Sequence, residues 1–226
     1  MKNNNVLYLS YLEMLVTMIE TDRENVTIEK VNEIPYEKNT HVFAICITSD
    51  GKPLIAARRN SFAFQEIMSQ RVSPTSILKV SKHLLKYMYN NEIKEIQRRL
   101  LKGSYLNVSQ MTNNSFEELI LLGGKINKYE SISDCLQREI QEESDSNLTI
   151  KCFGNKCVKL TIFDKLFDKT YISYCTTCYI TETISQAISS IIYNVEIREL
   201  KSLFECFKND KYHYLLFIYN TLVNSK

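Results

Sequence analysis

The sequence predicts an α+β sandwich built on a mixed sheet, with a helical region inserted between its strands. Three observations predict it. Runs rich in β-branched and aromatic residues, bounded by turn signals, recur between residues 26 and 200. A helical pattern over roughly residues 61–113 interrupts them. Two further helices, a short one with an acidic last turn and an apolar-faced one near residue 226, supply layers for the sheet to pack against.

Residues 1–23 are set apart as an N-terminal helix, because 6–19 form an apolar stretch suited to packing on a domain. Glu13 inside it and the lack of a small-residue cleavage site argue against a signal peptide. One domain is expected over 24–226. Residues 26–34 alternate as a short strand ending at Pro35. Segments 41–48 and 54–57 flank Ser49-Asp50-Gly51-Lys52, where Asp-Gly predicts a hairpin turn. Residues 62–70 read as a short helix and 76–102 as a longer one, broken near Asn90 and Asn91. The longer one carries Ile77, Val80, Leu84, Leu85, Met88, Ile93, Ile96 and Leu100 at helical spacing. Its other face holds Lys79, Lys82, Lys86, Lys94, Arg98, Arg99 and Lys102. Such a face is either solvated surface or a grip on an RNA backbone, and spacing does not choose between them. Strands follow at 116–122, 148–162, 169–180 and 193–200, the second and third of these joined around 164–168. A helix over 211–223 closes the series with Tyr214, Leu215, Ile218 and Leu222 on one face.

A net charge of +2 means that any nucleic-acid contact must use a local patch. No apolar run reaches the roughly 20 residues a membrane span needs, and no membrane or protein partner is expected. Seven cysteines, an odd number, fit a reducing compartment better than a disulfide framework. Cys175 and Cys178 have zinc-site spacing, but they lie in a strand-like run where residues three apart face opposite sides. Packed thiols are expected there. His41, His83 and His213 are scattered and make no nucleophile–base pattern with serine or cysteine.

The chemistry concentrates between Gly124 and Ser146, a glycine loop followed by the acidic helix. On a wheel of about 100° per residue, Glu139, Glu142 and Glu143 share a sector with Ile132, Cys135, Leu136 and Ile140. Asp134, Gln137 and Gln141 take the opposite side. Three carboxylates on a face that should be buried require a cation. All-oxygen ligands suit Mg2+ or Mn2+.

The same stretch resembles the Nudix hydrolase box, G-x5-E-x7-R-E-U-x-E-E-x-G-U with U aliphatic. Gly124, Glu130, Arg138, Glu139, Ile140, Glu142 and Glu143 stand at the required spacings, while Asp145 and Ser146 replace the final glycine and aliphatic residue. Those replacements affect the turn after the helix and leave the acids intact. The resemblance implies a Nudix α/β/α sandwich that hydrolyses a nucleoside diphosphate linked to another moiety, with metal on the helix glutamates. In that fold the hairpin is soon followed by the strand leading into the box; here the inserted helices delay it.

The flanking segments resemble the poxvirus mRNA-decapping Nudix hydrolases in THVFAICITSDG (40–51), ARRNSFAFQ (57–65), FEELILLGG (116–124), YISYC (171–175), YNVEIR (193–198) and LVNSK (222–226). The resemblance covers roughly residues 24–226. It implies cleavage of the 7-methylguanosine cap of mRNA, releasing 7-methyl-GDP and RNA with a 5′ monophosphate, in the cytoplasm of an infected host cell. It implies Glu139, Glu142 and Glu143 as metal-holding and catalytic residues, with Glu139 or Glu142 placed to deprotonate water, and Glu196 as a further metal ligand. Arg138 and Glu130 would form a structural ion pair, and Gly123 and Gly124 would let the backbone pass close to the phosphates. Phe62 and Tyr171 would stack on the cationic cap base, with Glu24 and Asp164 accepting hydrogen bonds from its edge. The box alone leaves two alternatives: a hydrolase of free nucleotides or dinucleoside polyphosphates, and a non-catalytic cap- or RNA-binding module. The intact acidic set argues against the second, since anions repel RNA phosphates.

Overall fold

The computed structural model describes residues 7–9, 16–35, 39–70, 80–99, 117–200 and 210–224. The first strands are β1 (Leu7–Leu9), β2 (Val16–Glu20), β3 (Glu24–Val31), β4 (His41–Ile47) and β5 (Leu54–Arg58). Helix α1 (Phe62–Met68), a 3-10 segment (Lys82–Tyr87) and α2 (Asn90–Arg99) follow. Next come β6 (Leu119–Ile120), β7 (Leu122–Lys125), α3 (Ile132–Glu143), β8 (Ile150–Asp164) and β9 (Lys169–Ile180). Helix α4 (Ile184–Ser189), β10 (Val195–Glu199) and α5 (Asp210–Asn224) complete the order. Seven strands form one sheet in the order β1-β2-β3-β8-β9-β4-β7, and three form a second, β10-β5-β6. The pair β4–β9 is parallel and the other named pairs are antiparallel, so the expected mixed sheet is present.

Side-chain alternation explains the layers. Along β4, Val42, Ala44 and Cys46 enter one core with Cys135, Leu136 and Ile140 of α3. Ile45 enters the other, with Tyr214, Leu215, Ile218 and Leu222 of α5. A sheet covered on both faces needs apolar residues at successive positions, as β4 has. Cys178 lies in the α3-side core and Cys175 in the α5-side core. The C-x-x-C pair is therefore split across the sheet, and both are free thiols.

Several expectations are corrected. The apolar N-terminal stretch is not a helix where it is described: β1 and β2 pair with each other, and β2 pairs with β3. Val16, Thr17 and Ile19 are β-branched, and the edge of β3 offers backbone partners that a lone short helix would lack. The turn at Gly51 forms as expected, with φ 76° and Thr48 bonded to Lys52 through backbone and side chain. Its arms do not make a hairpin ladder. Among the described residues only the bridge Ile47–Pro53 joins them, because Pro53 offers no N–H and β5 leaves to pair with β10 and β6. The strand expected over 116–122 is divided at Leu121: β6 pairs with β5, and β7 with β4. The long inserted helix breaks at Met88-Tyr89 into the 3-10 segment and α2; Ile77, Lys79, Leu100 and Lys102 lie outside the described residues. Helix α4 was not anticipated, although Thr183 and Gln186 form the capping box that their spacing allows.

The inserted elements have a core of their own. Ala63 and Ile67 of α1 pack with Leu84, Leu85, Met88, Ile93 and Ile96, closed by Leu166 from the β8–β9 connection. Among the described residues no helix is long and apolar enough to cross a membrane. Ile45 is fully buried on β4, between β9 and β7 of the large sheet, so Ile45→Ala should lower stability by about 2–5 kcal/mol. Urea denaturation with an unchanged slope should record the loss.

Candidate active site

Helix α3 begins at Ser131, whose Oγ accepts a hydrogen bond from Asp134 N at 3.1 Å. Before it, Arg138 fixes the loop: Nε and Nη2 donate to the two oxygens of Glu130 at 2.7 and 2.9 Å. That guanidinium, with a hydrogen bond from Asn127 N, holds the Glu130 carboxyl down at about 2. Arg138 also donates through Nη1 to Glu139 Oε1 at 2.6 Å and stands 3.5 Å from Glu142. After the helix, Asp145 and Ser146 both take left-handed backbone, with φ 48° and 60°. The box asks for glycine at position 145, and aspartate is among the few other residues that tolerate this region. Asp145 Oδ2 accepts from Tyr193 N at 2.7 Å, tying the end of α3 to the approach of β10.

The three helix glutamates do not share one environment. Glu143 is part-buried and accepts a hydrogen bond from Gly123 N at 2.8 Å. Burial pushes its carboxyl up to about 7 against that bond, helped by the negative charges of Glu139 and Glu142. Glu139 is part-buried against Gly124, where a Cβ would collide with its carboxylate. Gly123 sits at φ 141°, and a Cβ there would strike the Val42 carbonyl. Glu142, expected to face inward, has a side chain 63% exposed. Its place at the edge of the buried sector lets it reach solvent and Arg138. Glu196 on β10 pairs with Arg59 at 3.0 Å and Arg198 at 3.2 Å, rather than with the α3 carboxylates. Among the described residues no three acidic, histidine or cysteine side chains already converge on one point. The donor chemistry nevertheless fits a divalent ion: the side chains gathered at α3 offer carboxylate oxygens, and Glu143 is raised by burial first and then by the charges of Glu139 and Glu142, which a cation would offset.

A second feature lies on the other side of the large sheet. Glu24, Phe62, Asp164 and Tyr171 all line one cavity of about 570 Å³, together with Arg23, Phe43, Phe167, Lys211 and Tyr214. Its walls are largely aromatic and aliphatic, and its charges are paired below them. Arg23 donates through Nη1 to both oxygens of Glu118 at 2.9 Å and through Nη2 to Asp164 at 3.1 Å. Lys211 reaches Glu24 and Glu118 at 3.2 Å each, and Tyr214 donates to Glu24 at 2.7 Å. Burial raises the Glu118 carboxyl, but Lys211 and Arg23 outweigh it and hold the group below its usual range. Burial and the Glu24 charge push the Tyr214 phenol well up, so it stays neutral.

Sequence reasoning did not find Arg23, Glu118, Lys211 or Tyr214, because their partners are remote along the chain and no local spacing records them. It also missed Arg58, whose guanidinium lies 4.2 Å from the Phe62 ring centroid and whose charge also reaches Glu143. Arg58 therefore stands between the cavity and the carboxylates.

No family model matches the chain. Individual proteins do. It is 59% identical over 211 residues to the mRNA-decapping protein D9 of rabbit fibroma virus, covering 93% of this chain and 100% of that one. The mRNA-decapping protein OPG121 of vaccinia virus is 57% identical over 209 residues, 92% and 96% of the two chains. The chain belongs to the poxvirus mRNA-decapping Nudix hydrolases. A fowlpox virus protein, provisionally named a Nudix hydrolase, is 50% identical over 213 residues, covering 93% of this chain and 90% of its own length. Membership makes the chain a Nudix-type hydrolase, which implies a divalent-metal requirement in general.

Because Gly124 leaves room for the Glu139 carboxylate, Gly124→Ala should displace it and cost about 100-fold in hydrolysis of a pyrophosphate bond. The thermal midpoint should move little, which separates loss of the site from loss of the fold.

Proposed function

We propose that this protein removes the 5′ cap of mRNA, binding the 7-methylguanine base in the aromatic cavity and hydrolysing the pyrophosphate bond at α3. The observation that carries this reading is the meeting of Glu24, Phe62, Asp164 and Tyr171, far apart in sequence, around one cavity. A methylated guanine is cationic. Aromatic faces attract a cation, and buried carboxylates favour it and accept hydrogen bonds from its edge. Arg58, between Phe62 and Glu143, would face the phosphate chain as it passes from one site to the other.

Glu139, Glu142 and Glu143 would hold Mg2+ or Mn2+, and Glu196 would join them by leaving Arg59 and Arg198. When bound, such an ion supplies Lewis acidity and makes bound water more acidic. The chain's own residues do the rest. Gly123 N–H fixes Glu143, Arg138 fixes Glu139, and Glu139 or Glu142 takes the proton as water attacks phosphorus. The P–O bond of the anhydride breaks, and the products are 7-methyl-GDP and RNA bearing a 5′ monophosphate. The capped substrates would be host and viral transcripts in the cytoplasm of an infected cell, whose turnover this reaction promotes.

The exposed basic residues Lys82, Lys86, Lys94, Arg98 and Arg99 offer a path for the RNA strand. What favours this over plain solvation is the treatment of the acids on α2: Glu92 is buried, leaving Glu95, shared by Arg98 and Arg99, to oppose them. Reversing Lys86, Lys94 and Arg98 to glutamate should weaken RNA binding and flatten its salt dependence by about one unit of slope per lost phosphate contact. Hydrolysis of a minimal cap dinucleotide should be nearly unchanged, and an unaltered salt slope would return this face to solvent.

The decisive test of the cap reading compares inhibition of RNA decapping by 7-methyl-GDP and by GDP. The wild type should prefer the methylated ligand. Phe62→Ala and Tyr171→Ala should each weaken binding by about 1–3 kcal/mol, as for other base–aromatic contacts, and lose most of that preference. Glu24→Gln and Asp164→Asn should weaken recognition of the base edge. Equal inhibition of the wild type by both ligands would favour a hydrolase of free nucleotides instead.

A further inference from the structure

Helix α2 reaches back to the start of the inserted region, where Phe62 stands, and it does so through a buried acid that no step above uses. Glu92 of α2 is 2% exposed. Its Oε1 accepts a hydrogen bond from Ser61 N at 2.7 Å, and its Oε2 accepts from Ser61 Oγ at 2.7 Å and Tyr89 N at 2.8 Å. Ser61 is the N-cap of α1 and is itself fully buried, its Oγ also accepting from Phe64 N at 3.0 Å. Tyr89 adds a second hold: its hydroxyl donates to the Arg58 carbonyl at 2.6 Å and accepts from Glu118 N at 3.0 Å. Glu118 in turn accepts from Phe62 N at 3.3 Å. Hydrogen bonds and the Ser61–Phe62 peptide bond thus close a circuit, Glu92–Ser61–Phe62–Glu118–Tyr89–Glu92, to which the Arg58 carbonyl is tied through Tyr89.

A residue placed for stability alone would not be of this kind. Burial raises the Glu92 carboxyl above its ordinary range despite three donors, so the fold bears a net cost to keep it ionised. Buried ionic groups are weak stabilisers but fix geometry well, because each donor dictates a direction. Helix α1 has only seven residues, and no acid in its first turn supports it. What sets the direction in which Phe62 leaves the chain is its entry segment, and the inserted helices grip that segment.

We propose that Glu92 is a positioning residue for base recognition: with Tyr89 it sets the Phe62 ring, and so the preference for a cationic base, from the inserted region. The inference rests on the reading that Phe62 stacks on the cap base. A direct titration separates the two. Calorimetric Kd values for 7-methyl-GDP and for GDP would be measured on the wild type, Glu92→Gln, Phe62→Ala and the double variant, without metal.

The wild type should bind 7-methyl-GDP more tightly. Glu92→Gln should cut the ratio of the two affinities by about tenfold, yet change it less than about twofold once Phe62 is alanine, as expected of residues acting through one another. Should Glu92→Gln fail to fold, Tyr89→Phe, which removes only a hydroxyl, carries the same cycle with an expected loss of about threefold. Equal effects in both backgrounds, or equal weakening of both ligands, would mean a merely structural role and overturn the proposal while the cap reading stands. A wild type that binds both ligands equally would overturn the cap reading and the proposal with it.

Discussion

The aromatic cavity depends on one buried cation. Arg23 sits in the turn between β2 and β3, bonded to Glu118 ahead of β6 and to Asp164 at the end of β8. A guanidinium out of water costs several kcal/mol unless it is paired, so these three segments must meet for any of them to be tolerated where it is. Phe62, Tyr87 and Phe167 have ring centroids 5.5–5.9 Å from its central carbon. Two aromatic walls of the cavity, Phe62 and Phe167, thereby stand around the same charge that fixes Asp164. Lys211 closes the cluster from α5.

The two sites are held by different devices because their chemistry differs. At α3 each carboxylate has few donors: Glu142 is exposed, Glu143 has one backbone donor, and Glu139 takes a hydrogen bond from Arg138 while packing closely on Gly124. Such a set can rearrange around an ion. In the cavity every carboxylate is committed to several donors, which suits recognition of a fixed shape. The second small sheet links them, since β5 ends at Arg58, whose guanidinium lies 4.2 Å from the Phe62 ring centroid and adds a small favourable charge at Glu143.

The legibility of these features in the sequence follows from the range of the forces that make them. The box was readable because a helix turns spacing into neighbourhood: Glu139, Ile140 and Glu143 are placed by periodicity alone. The alternation of β4 and β9, and the apolar face of α5, were readable for the same reason. What failed was decided by partners remote in sequence. Residues 7–9 and 16–20 are strands because β3 presents an edge, and Leu121 breaks a strand because β5 and β4 lie in different sheets. Glu24, Phe62, Asp164 and Tyr171 were named through a family resemblance, and the polar floor beneath them has no local signature at all. Arg23 and Glu118 are 95 residues apart.

The spread of the cavity along the chain also bears on how the protein is made. The α3 site draws on β4, β7, α3 and, in the reading proposed above, Glu196 of β10, all ahead of residue 200. The cavity draws on residues from Arg23 to Leu215. On a chain emerging from the ribosome N-terminus first, domains order as their contacts become available. The α3 carboxylates can therefore be seated while the aromatic cavity is still open. Until Lys211 and Tyr214 arrive, Glu24 lacks both of those partners, and the apolar residues that α5 covers, Ile45, Val158 and Leu160 among them, stay open to solvent.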